Sequence, residues 1–315
     1  MLNEATPIAH LLRDGATGAH SATSSRGGPL IDRMRSGSLL ALMEVHSGLS
    51  ARIAENAGFE ALWASGLAIS SLMGLRDSNE ASWSQVLTIV EWITDATDRP
   101  VLVDGDTGHG NFNNARRYAL KLARCGAAGI CLEDKLFPKT NSFRGSHQPL
   151  ADQTEFCGKI SAVKEATDAY PFALVARTEA LVSQRSIAEA LDRAHAYREA
   201  GADAILVHSK KSSGAEVMEF ARRWKSDCPI IVVPTTYPEV DLSELQAAGV
   251  SAVIWANHSM RASAFAIAKL CNTLKTSGSP ISTSHLLTSL PELFELLDYD
   301  ELDAAEQRFL PVINR

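Results

Sequence analysis

Short apolar runs, each followed by a segment with helical character, recur eight times between residues 39 and 276. Buried parallel strands have such nearly continuous apolar sequences, because helices cover the sheet. The runs are Leu39–Val45, Ala61–Ala64, Val101–Asp104, Gly129–Glu133, Ala173–Arg177, Ala204–His208, Ile230–Val233 and Ala252–Ala256. Eight strand–helix units fit a closed (β/α)8 barrel better than an open doubly wound sheet. The sequence therefore predicts an α/β protein with a TIM-type barrel.

The segments that follow the runs predict the helices. They are Ser47–Ala57, Asn79–Thr97, Asn113–Cys125, Thr154–Thr167, Ser186–Ala200, Gly214–Trp224, Leu242–Ala248 and Met260–Thr276. Asn79 is the predicted N-cap of the second of these helices, because Asn side chains accept hydrogen bonds from free helical N–H groups. A Ser/Thr/Gly-rich linker then leads to Leu290–Tyr299 and Asp303–Phe309, which predict extra C-terminal helices outside the barrel.

Three regions follow from this pattern. Residues 1–28 are rich in Ser, Gly, Ala and Thr without apolar periodicity, and we expect a mobile leader there. Glu4, Asp14 and the small number of arginines disfavour an organelle-targeting role for this leader. Residues 29–276 are the predicted catalytic barrel domain, and residues 277–315 are the predicted C-terminal helical extension.

Composition and charge exclude several classes of protein. The chain has 315 residues, and its hydrophobic fraction of 45% is enough for a large core. A formal net charge of −7, without a basic block or face, argues against a nucleic-acid or membrane-surface partner. No apolar run approaches the ~18 residues of a membrane span. Five cysteines without CxxC spacing are typical of a reducing compartment, so we expect a cytoplasmic protein.

Polar side chains are concentrated where the predicted strands end. In a (β/α)8 barrel, the active site lies at the carboxyl ends of the strands. The polar residues at these ends are Ser65, Asp104, Asp106, Glu133, Arg177, Glu179, His208, Ser209, Asn257 and His258. The strands themselves are almost wholly apolar, so these residues mark the predicted active site.

Asp104, Asp106 and Glu133 form a set of carboxylates. Asp104 and Asp106 are two residues apart, so they point to the same side of an extended backbone. A single Asp after a strand usually caps a helix or a turn, but three carboxylates at one barrel mouth repel each other unless they are paired or metal-bound. Oxygen ligands without a His or Cys cluster favour Mg²⁺ over zinc. We therefore predict a magnesium site.

Other features each have a functional and a structural interpretation. The segment Trp63–Leu67 is either a simple turn or a run of free backbone N–H groups that binds an oxyanion or a carboxylate. The polar loop from Lys135 to Gly145 is either a solvated connection or a lid over the barrel mouth. Arg177 can be a site residue or a partner of Glu179, and His208 can be a site residue or a satisfied core histidine.

Six segments resemble the phosphoenolpyruvate mutase branch of the isocitrate lyase superfamily, and together they cover roughly residues 29–310. They are Gly74–Ser82, Asp104–Arg117, Glu133–Phe143, Ala176–Ala180, Ile205–Lys211 and Val253–His258. The third, EDKLFPKTNSF, is the most specific. Lyases of the superfamily carry a catalytic Cys in this loop, where the present chain has Thr140-Asn141-Ser142. Phosphonopyruvate hydrolases tend to have Thr at the position of Asn141, so the resemblance favours a mutase.

The resemblance implies a role for each candidate residue. Asp104 would hold Mg²⁺ most directly, with Asp77, Asp106 and Glu133 acting mainly through metal-bound water. The implied substrate-binding residues are Trp63, Ser65, Gly66, Leu67 and Arg177, and the implied catalytic residues are Asp77, Lys139, Asn141, Ser142, Arg177 and His208. Lys139, Asn141 and Ser142 would close over the phosphoryl group as a gating loop.

The implied activity is the magnesium-dependent interconversion of two small molecules, phosphoenolpyruvate and 3-phosphonopyruvate, which forms the carbon–phosphorus bond in phosphonate biosynthesis. The alternatives are a phosphonopyruvate hydrolase that releases pyruvate and phosphate, a carbon–carbon lyase of the same superfamily, and a catalytically silent binding protein. The resemblance also implies a homotetramer, built as a dimer of dimers that exchange their C-terminal helices.

Overall fold

The computed structural model describes residues 27–139, 141–142 and 149–310. Its parallel strands close into an eight-stranded barrel, in which each strand pairs with the next and β8 pairs with β1. The strands are β1 (Leu40–Val45), β2 (Ala61–Ala64), β3 (Val101–Asp104), β4 (Gly129–Glu133), β5 (Ala173–Thr178), β6 (Ala204–Val207), β7 (Ile230–Val232) and β8 (Ala252–Trp255). Each predicted apolar run matches one of these strands, although β5 extends one residue further, to Thr178, and the predicted barrel is confirmed.

Helices surround the barrel and alternate with its strands along the chain. They are α1 (Gly27–Arg35), α2 (Gly48–Asn56), α3 (Gly66–Leu72), α4 (Trp83–Asp95), α5 (Phe112–Arg124), α6 (Gln153–Thr167), α7 (Ile187–Glu199), α8 (Ala215–Arg223), α9 (Leu242–Ala247), α10 (His258–Ser277), α11 (Leu290–Leu296) and α12 (Tyr299–Phe309). Short 3₁₀ turns lie at Pro234–Thr236 and Pro280–Leu286.

The sequence pattern misses α1 and α3, and it places the start of α4 too early. α1 begins at Gly27, inside the region predicted as a leader. α4 begins at Trp83, because Ser82 and Gln85 form a capping box. The Ser82 side chain accepts from the backbone N–H of Gln85, and Oε1 of Gln85 accepts from the backbone N–H of Ser82. The predicted N-cap, Asn79, is therefore wrong. Its backbone is left-handed (φ 56°) and its side chain donates to a carboxylate after another strand.

Apolar residues form one core layer between the barrel and its helices and a second layer inside the barrel. The inner layer contains strand residues such as Leu42, Leu102 and Leu206, together with Leu30 and Met34 of α1. The same cluster includes the first residues of several strands, so α1 closes the amino-terminal end of the barrel. The carboxyl ends of the strands remain available for a site.

Two helices follow α10 outside the barrel, as predicted, but the break between them falls earlier. α11 ends at Leu296 and α12 begins at Tyr299, because Asp298 takes a left-handed conformation (φ 58°). Residues 1–26 and 311–315 lie outside the described residues, and so does most of the predicted mobile leader. Among the described helices, none has the length and apolar content needed to cross a membrane.

Candidate active site

The carboxyl ends of β3 and β4 bring the predicted carboxylates to one place. Asp104 is the last residue of β3 and Glu133 the last residue of β4. The backbone N–H of Glu133 donates to the carbonyl oxygen of Asp106 at 2.8 Å, which ties the segment after β3 to β4. The glycine at position 105 allows close packing, because a Cβ atom there would lie 2.5 Å from the side chain of Ile130 and would force that side chain to move.

The stretch Trp63–Leu67 runs from the end of β2 through an N-cap into α3, so the interpretation of it as a simple turn is wrong. Ser65 is the N-cap of α3, and its hydroxyl accepts from the backbone N–H of Ala68 at 3.3 Å. The N–H of Gly66 donates to Oδ2 of Asp104 at 3.2 Å, so this protein carboxylate uses one of the N–H groups expected to be free. A Cβ atom on Gly66 would lie 3.1 Å from that same oxygen, so the close approach favours glycine.

The ammonium group of Lys139 lies between two carboxylates. Its Nζ atom is 2.8 Å from Oδ1 of Asp77 and 2.6 Å from Oδ1 of Asp106, and the residue is only 6% exposed. Burial favours the neutral amine, but the negative charges of Asp106 and Asp77 outweigh it and raise the pKa of Lys139 well above its ordinary value. Lys139 is therefore charged and held at the mouth of the barrel.

The two aspartates beside Lys139 respond differently to their surroundings. Burial, opposed by Lys139 but reinforced by the charges of Asp104, Asp77 and Glu133, raises the pKa of Asp106 to about 7. Burial also opposes ionisation of Asp77, but the charge of Lys139 and hydrogen bonds from Lys139 and Asn141 outweigh it, so the pKa of Asp77 falls below its usual value. The surroundings thus favour the ionised form of Asp77 but disfavour that of Asp106.

Asn141 and Asn79 add polar contacts around this pair of aspartates. The Asn141 amide donates to Oδ2 of Asp77 at 2.6 Å, which brings the predicted loop residue into the site. Asn79, which the sequence analysis assigned to a helix cap, donates to Oδ2 of Asp106 and accepts from the backbone N–H of Lys139, each at 2.7 Å. No sequence spacing signals this second role, since its partners lie 27 and 60 residues away.

Glu179 connects three other polar residues of the site, and we call this set of Glu179, Arg177, Lys135 and Ser142 the Glu179 hub. Its carboxylate lies 2.6 Å from Nε of Arg177 and 2.9 Å from Nζ of Lys135, and it accepts a hydrogen bond from the hydroxyl of Ser142 at 2.8 Å. Burial opposes its charge, but Arg177 and Lys135 outweigh burial and lower the pKa of Glu179. The interpretation of Arg177 as a partner of Glu179 is thus confirmed, and this partnership orients Arg177 toward the cavity.

Ser142 occupies a defined position at this hub. Its hydroxyl accepts from Nζ of Lys135 at 2.6 Å and from Nη2 of Arg177 at 3.0 Å, while it donates to Glu179. Lys135 was not among the predicted site residues, and Glu179 was named at the end of its strand but given no role in the site. The signal that could have identified both is a charged residue two positions after a predicted site residue, just beyond each of two neighbouring strands.

Asp134, which directly follows Glu133 at the end of β4, supports the Glu179 hub through buried hydrogen bonds. It is fully buried and accepts hydrogen bonds from the backbone N–H of Glu179 at 2.7 Å and from the hydroxyl of Tyr197 at 2.6 Å. Its carbonyl oxygen accepts from the N–H of Ala151, where the chain returns from the loop after β4. Asp134 therefore holds the backbone that presents Glu179.

Glu133 and His208 are buried beside Arg177. Burial raises the pKa of Glu133, although Lys135 and Arg177 oppose this effect. Burial, together with the nearby charge of Arg177, lowers the pKa of His208 to about 3, so its imidazole is neutral at pH 7. A neutral imidazole can take part in hydrogen bonding to a substrate without adding charge.

Most of the predicted site residues line one cavity at the carboxyl ends of the strands. The space inside it that protein atoms do not fill, its open mouth included, is about 510 Å³. The lining residues are Trp63, Ser65, Leu67, Asp77, Asp104, Glu133, Lys139, Asn141, Ser142, Arg177, His208, Val233, Ala256 and Asn257. Gly66 and Asp106 complete the predicted set through their contacts with Asp104 and Lys139.

The oxygen atoms of the site fit magnesium. Within residues 27–139, 141–142 and 149–310, no three His, Cys, Asp or Glu side chains lie close enough together to form a ready metal cluster. Mg²⁺ does not need one, because it usually keeps several waters and binds only one or two protein carboxylates. Oε1 of Glu133 is buried and accepts no hydrogen bond from the described residues. Asp104 accepts only long backbone bonds of 3.2 and 3.4 Å from them.

Comparisons with known proteins agree with this geometry. The sequence model of a family described as phosphoenolpyruvate phosphomutase matches residues 31–275. The chain is 49% identical over 292 residues to the phosphoenolpyruvate phosphomutase of Streptomyces hygroscopicus, covering 92% of this chain and 93% of that protein.

Two solved structures are also similar. The crystal structure of phosphoenolpyruvate phosphomutase from Streptomyces platensis subsp. rosaceus has a TM-score of 0.87 and 38% identity, covering 90% of this chain and all of that one. A phosphonopyruvate hydrolase in complex with oxalate and Mg²⁺ has a TM-score of 0.85 and 34% identity, covering 91% of this chain and all of that one. The chain belongs to the phosphoenolpyruvate phosphomutase family.

Proposed function

We propose that this protein interconverts phosphoenolpyruvate and 3-phosphonopyruvate. The observation that carries the proposal is the Asn141 amide at the cavity, bound to Asp77 at 2.6 Å and directly followed by Ser142 in the Glu179 hub. An Asn at this position favours a mutase over a hydrolase. The sequence identity of 49% to a named phosphomutase, against 36% to a named phosphonopyruvate hydrolase, supports the same choice.

A carbon–carbon lyase reaction is not favoured by the cavity. The lyases that the sequence resembles use a Cys in the loop after β4 as a catalytic acid. None of the described residues that line the cavity is a cysteine. Lys139, Asn141 and Ser142 lie in that loop instead, and they suit an anionic group that needs positioning and charge compensation.

The two substrates differ only in the atom that carries phosphorus. Starting from 3-phosphonopyruvate, the bond between C3 and phosphorus breaks and its electron pair forms the enolate of pyruvate. The enolate oxygen then bonds to the same phosphorus atom and gives phosphoenolpyruvate, so atoms and charge balance without water. Phosphoryl transfer of this kind needs positioning and charge stabilisation more than a strong nucleophile. Lys139, Arg177 and the Asn141 amide are among the donors that line the cavity.

We propose Mg²⁺ as the cofactor, held most directly by Asp104 and through water by Asp77, Asp106 and Glu133. When bound, it would stabilise the negative charge that develops on the enolate oxygen. Burial, reinforced by the charges of Asp104, Asp77 and Glu133, raises the pKa of Asp106 to about 7, and a bound cation would offset those charges. Ser65, Gly66 and Leu67 lie at the start of α3, beside Asp104, where they would contact the pyruvyl end of the substrate.

Excluding water decides between the mutase and the hydrolase reactions. A water molecule that reaches the phosphoryl group would release phosphate and pyruvate. Lys139, Asn141 and Ser142 are bound to Asp77, Asp106 and Glu179 in this structure, so the described part of the loop after β4 is drawn over the cavity. We propose that these contacts leave no path for water during transfer.

The C-terminal helices support a proposed homo-oligomer. α10 has no buried residue although it is twenty residues long, and its side chains Phe265 and Ile267 are 73% and 60% exposed. Leu290 and Phe309, on α11 and α12, are 65% and 72% exposed. Apolar surface of this extent marks a protein interface. We propose that a second copy of the chain covers it through exchanged C-terminal helices, in a dimer of dimers.

The cysteines support a proposed cytoplasmic location. All five are free, and Cys131 and Cys228 are buried as small apolar residues. Free thiols persist in a reducing compartment.

The proposed function is tested with phosphorus NMR. Purified protein is incubated with 3-phosphonopyruvate and MgCl₂, and we expect the signal of phosphoenolpyruvate to grow. The same incubation with EDTA in place of MgCl₂ is the control and should give no product. Growth of inorganic phosphate alone would replace the mutase assignment with a hydrolase, and no turnover with any divalent cation would favour a binding protein.

A further inference from the structure

The side chain of Asn79 joins two separate parts of the active site. Its Nδ2 atom donates to Oδ2 of Asp106, and its Oδ1 atom accepts from the backbone N–H of Lys139, both at 2.7 Å. Asp106 follows β3, whereas Lys139 lies in the loop after β4. The side chains of these two partners themselves meet at 2.6 Å. One amide therefore fixes both residues of a buried ion pair: it holds Asp106 by its carboxylate and Lys139 by its backbone.

The turn that carries Asn79 is braced from within. The backbone N–H of Arg76 donates to Oε2 of Glu80 at 2.8 Å, and the N–H of Leu75 donates to the carbonyl oxygen of Ser70 in α3 at 2.9 Å. A residue on a braced turn loses little conformational freedom when it forms a hydrogen bond, so it can hold its partners in a defined geometry.

This turn holds Lys139 at both ends of the residue. Asp77 binds the ammonium group at 2.8 Å, and Asn79 binds the backbone N–H. If only the side chain were held, the flexible four-carbon stem would let the backbone of Lys139 move away from the cavity. The bond to Asn79 removes that freedom, and it also bears on Asn141, two residues further along the loop.

The chemistry of both bonds requires a carboxamide. An Asn side chain donates from its nitrogen and accepts at its oxygen, and it can satisfy Asp106 and the Lys139 N–H together. An Asp side chain would keep the acceptor but would place a second carboxylate against Asp106. The backbone conformation (φ 56°) is a separate requirement, which both Asn and Gly meet.

We propose that Asn79 is a positioning residue for phosphoryl transfer, which acts by fixing the positions of Asp106 and Lys139 relative to each other. The inference rests on the proposed mutase function and extends it to a residue outside the cavity lining. Asn79 does not touch the substrate. Its effect reaches the reacting atoms through the Lys139 ammonium group. Removal of the Asn79 side chain should therefore lower turnover more than it weakens substrate binding.

The variant that isolates the side chain is Asn79→Gly, because glycine accepts the left-handed backbone without strain. We expect kcat to fall about 10- to 100-fold, as for residues that orient a site group, with KM changed by less than about threefold. The share of pyruvate and phosphate among the products should rise. The matched control is Gln184→Gly, since Gln184 is exposed and has nearly the same backbone conformation (φ 59°). It should keep wild-type turnover and products.

A second measurement does not depend on activity. In hydrogen exchange followed by mass spectrometry, the Lys139 amide should exchange faster in Asn79→Gly than in wild type, but remain protected in Asn79→Asp, which keeps the acceptor. Turnover should be low in both variants. Wild-type kcat and products in Asn79→Gly would overturn the proposal, because the residue would then serve only the backbone, and so would unchanged Lys139 exchange in that variant.

Failure of the mutase assignment gives a different result. If the wild type releases only phosphate, the mutase function is wrong, and the rate of that hydrolysis replaces the rate of transfer in the comparison of variants. An Asn79→Gly variant with slower hydrolysis and faster Lys139 exchange would still support the positioning role. Unchanged hydrolysis would overturn it.

Discussion

The Nζ atom of Lys139 lies 2.6 Å from Oδ1 of Asp106, so a protein ammonium group occupies space among the carboxylates that fit magnesium. Asp77, on the other side of the same ammonium group, is 2.8 Å away. Lys139 therefore balances part of the negative charge of the site, and a metal ion must share or take over that role. The balance between lysine and metal leads to a prediction about stability.

Replacing Lys139 with methionine should destabilise the protein in EDTA by about 3 kcal/mol, because two buried carboxylates lose their cation. MgCl₂ should restore more stability to this variant than it adds to the wild type, since the metal no longer competes with the ammonium group. The midpoint of urea unfolding, with and without MgCl₂, is the measurement.

The matched control for this experiment is Lys164→Met, which breaks a half-exposed ion pair with Asp203 (2.9 Å). That change should cost at most about 1 kcal/mol, as exposed pairs do, and leave the response to MgCl₂ unchanged. An equal response to MgCl₂ in Lys139→Met and wild type would contradict a metal site next to Lys139.

Replacing Asn141 with alanine should lower turnover by about 10²-fold, the size expected for one donor aimed at developing charge. Pyruvate and phosphate should become a larger share of the products, because the bond to Asp77 that holds the loop is lost. Asn141→Asp should not rescue activity, since it sets a carboxylate against Asp77 and the phosphoryl group. Phosphorus NMR gives both rate and product ratio.

Asn56→Ala, at the exposed end of α2, is the control for Asn141 and should behave as wild type. A wild-type rate and product ratio in Asn141→Ala would mean that Asn141 only shapes its loop. The sequence argument for a mutase rather than a hydrolase would fall with that result.

The strands could be predicted from the sequence because each is a short apolar run between turn residues. The observed bounds of β2, β3 and β4 equal those of the apolar runs. α1 could not be predicted, because its first residues are Gly27 and Gly28 and it belongs to the inner core, with which Leu30 packs across a large sequence separation. Tertiary packing, rather than local propensity, makes this helix.

The site could be predicted where function requires a polar residue at a strand end, as for Asp104, Glu133 and Arg177. It could not be predicted where a residue acts through long-range hydrogen bonds, as Asn79 does. Local spacing predicted Asn79 as the N-cap of α4, but Ser82 is the N-cap and forms a capping box with Gln85. A local pattern reveals which side chains can cap a helix and not which distant partners they meet in the fold.

His208 should make the protein less stable as the pH falls below about 6.5, which is the pKa of this side chain in the unfolded chain. Burial and Arg177 lower the pKa of His208 in the native state to about 3, against about 6.5 in the unfolded chain. Between these values only the unfolded chain binds the proton, so the contribution to stability is complete above pH 6.5 and is lost toward pH 3. The slope from this residue should be about 1.4 kcal/mol per pH unit.

The measurement is the free energy of unfolding in urea from pH 6.5 to pH 4.5, in wild type and in His208→Asn. The variant should lose stability less steeply, because it lacks the group that takes up the proton. His285→Asn, at an exposed position, is the matched control. Identical slopes for His208→Asn and wild type would show that His208 is not held neutral by burial.

Removing residues 284–315 should break the proposed oligomer. The deletion removes α11 and α12 and, with them, apolar side chains such as Leu290 and Phe309, which we propose pack against a second copy. Light scattering should give a smaller particle for the truncated protein than for the full chain at the same concentration. A truncated protein with the mass of the full assembly would contradict the exchange of C-terminal helices.

We propose that the phosphoryl group moves within one substrate and never reaches water. Phosphorus NMR from both directions tests this proposal, with one sample started from phosphoenolpyruvate and another from 3-phosphonopyruvate, each with MgCl₂ and wild-type protein. Both samples should converge on the same mixture of the two compounds, with total organic phosphorus conserved. Steady accumulation of inorganic phosphate in either sample, without convergence, would contradict it.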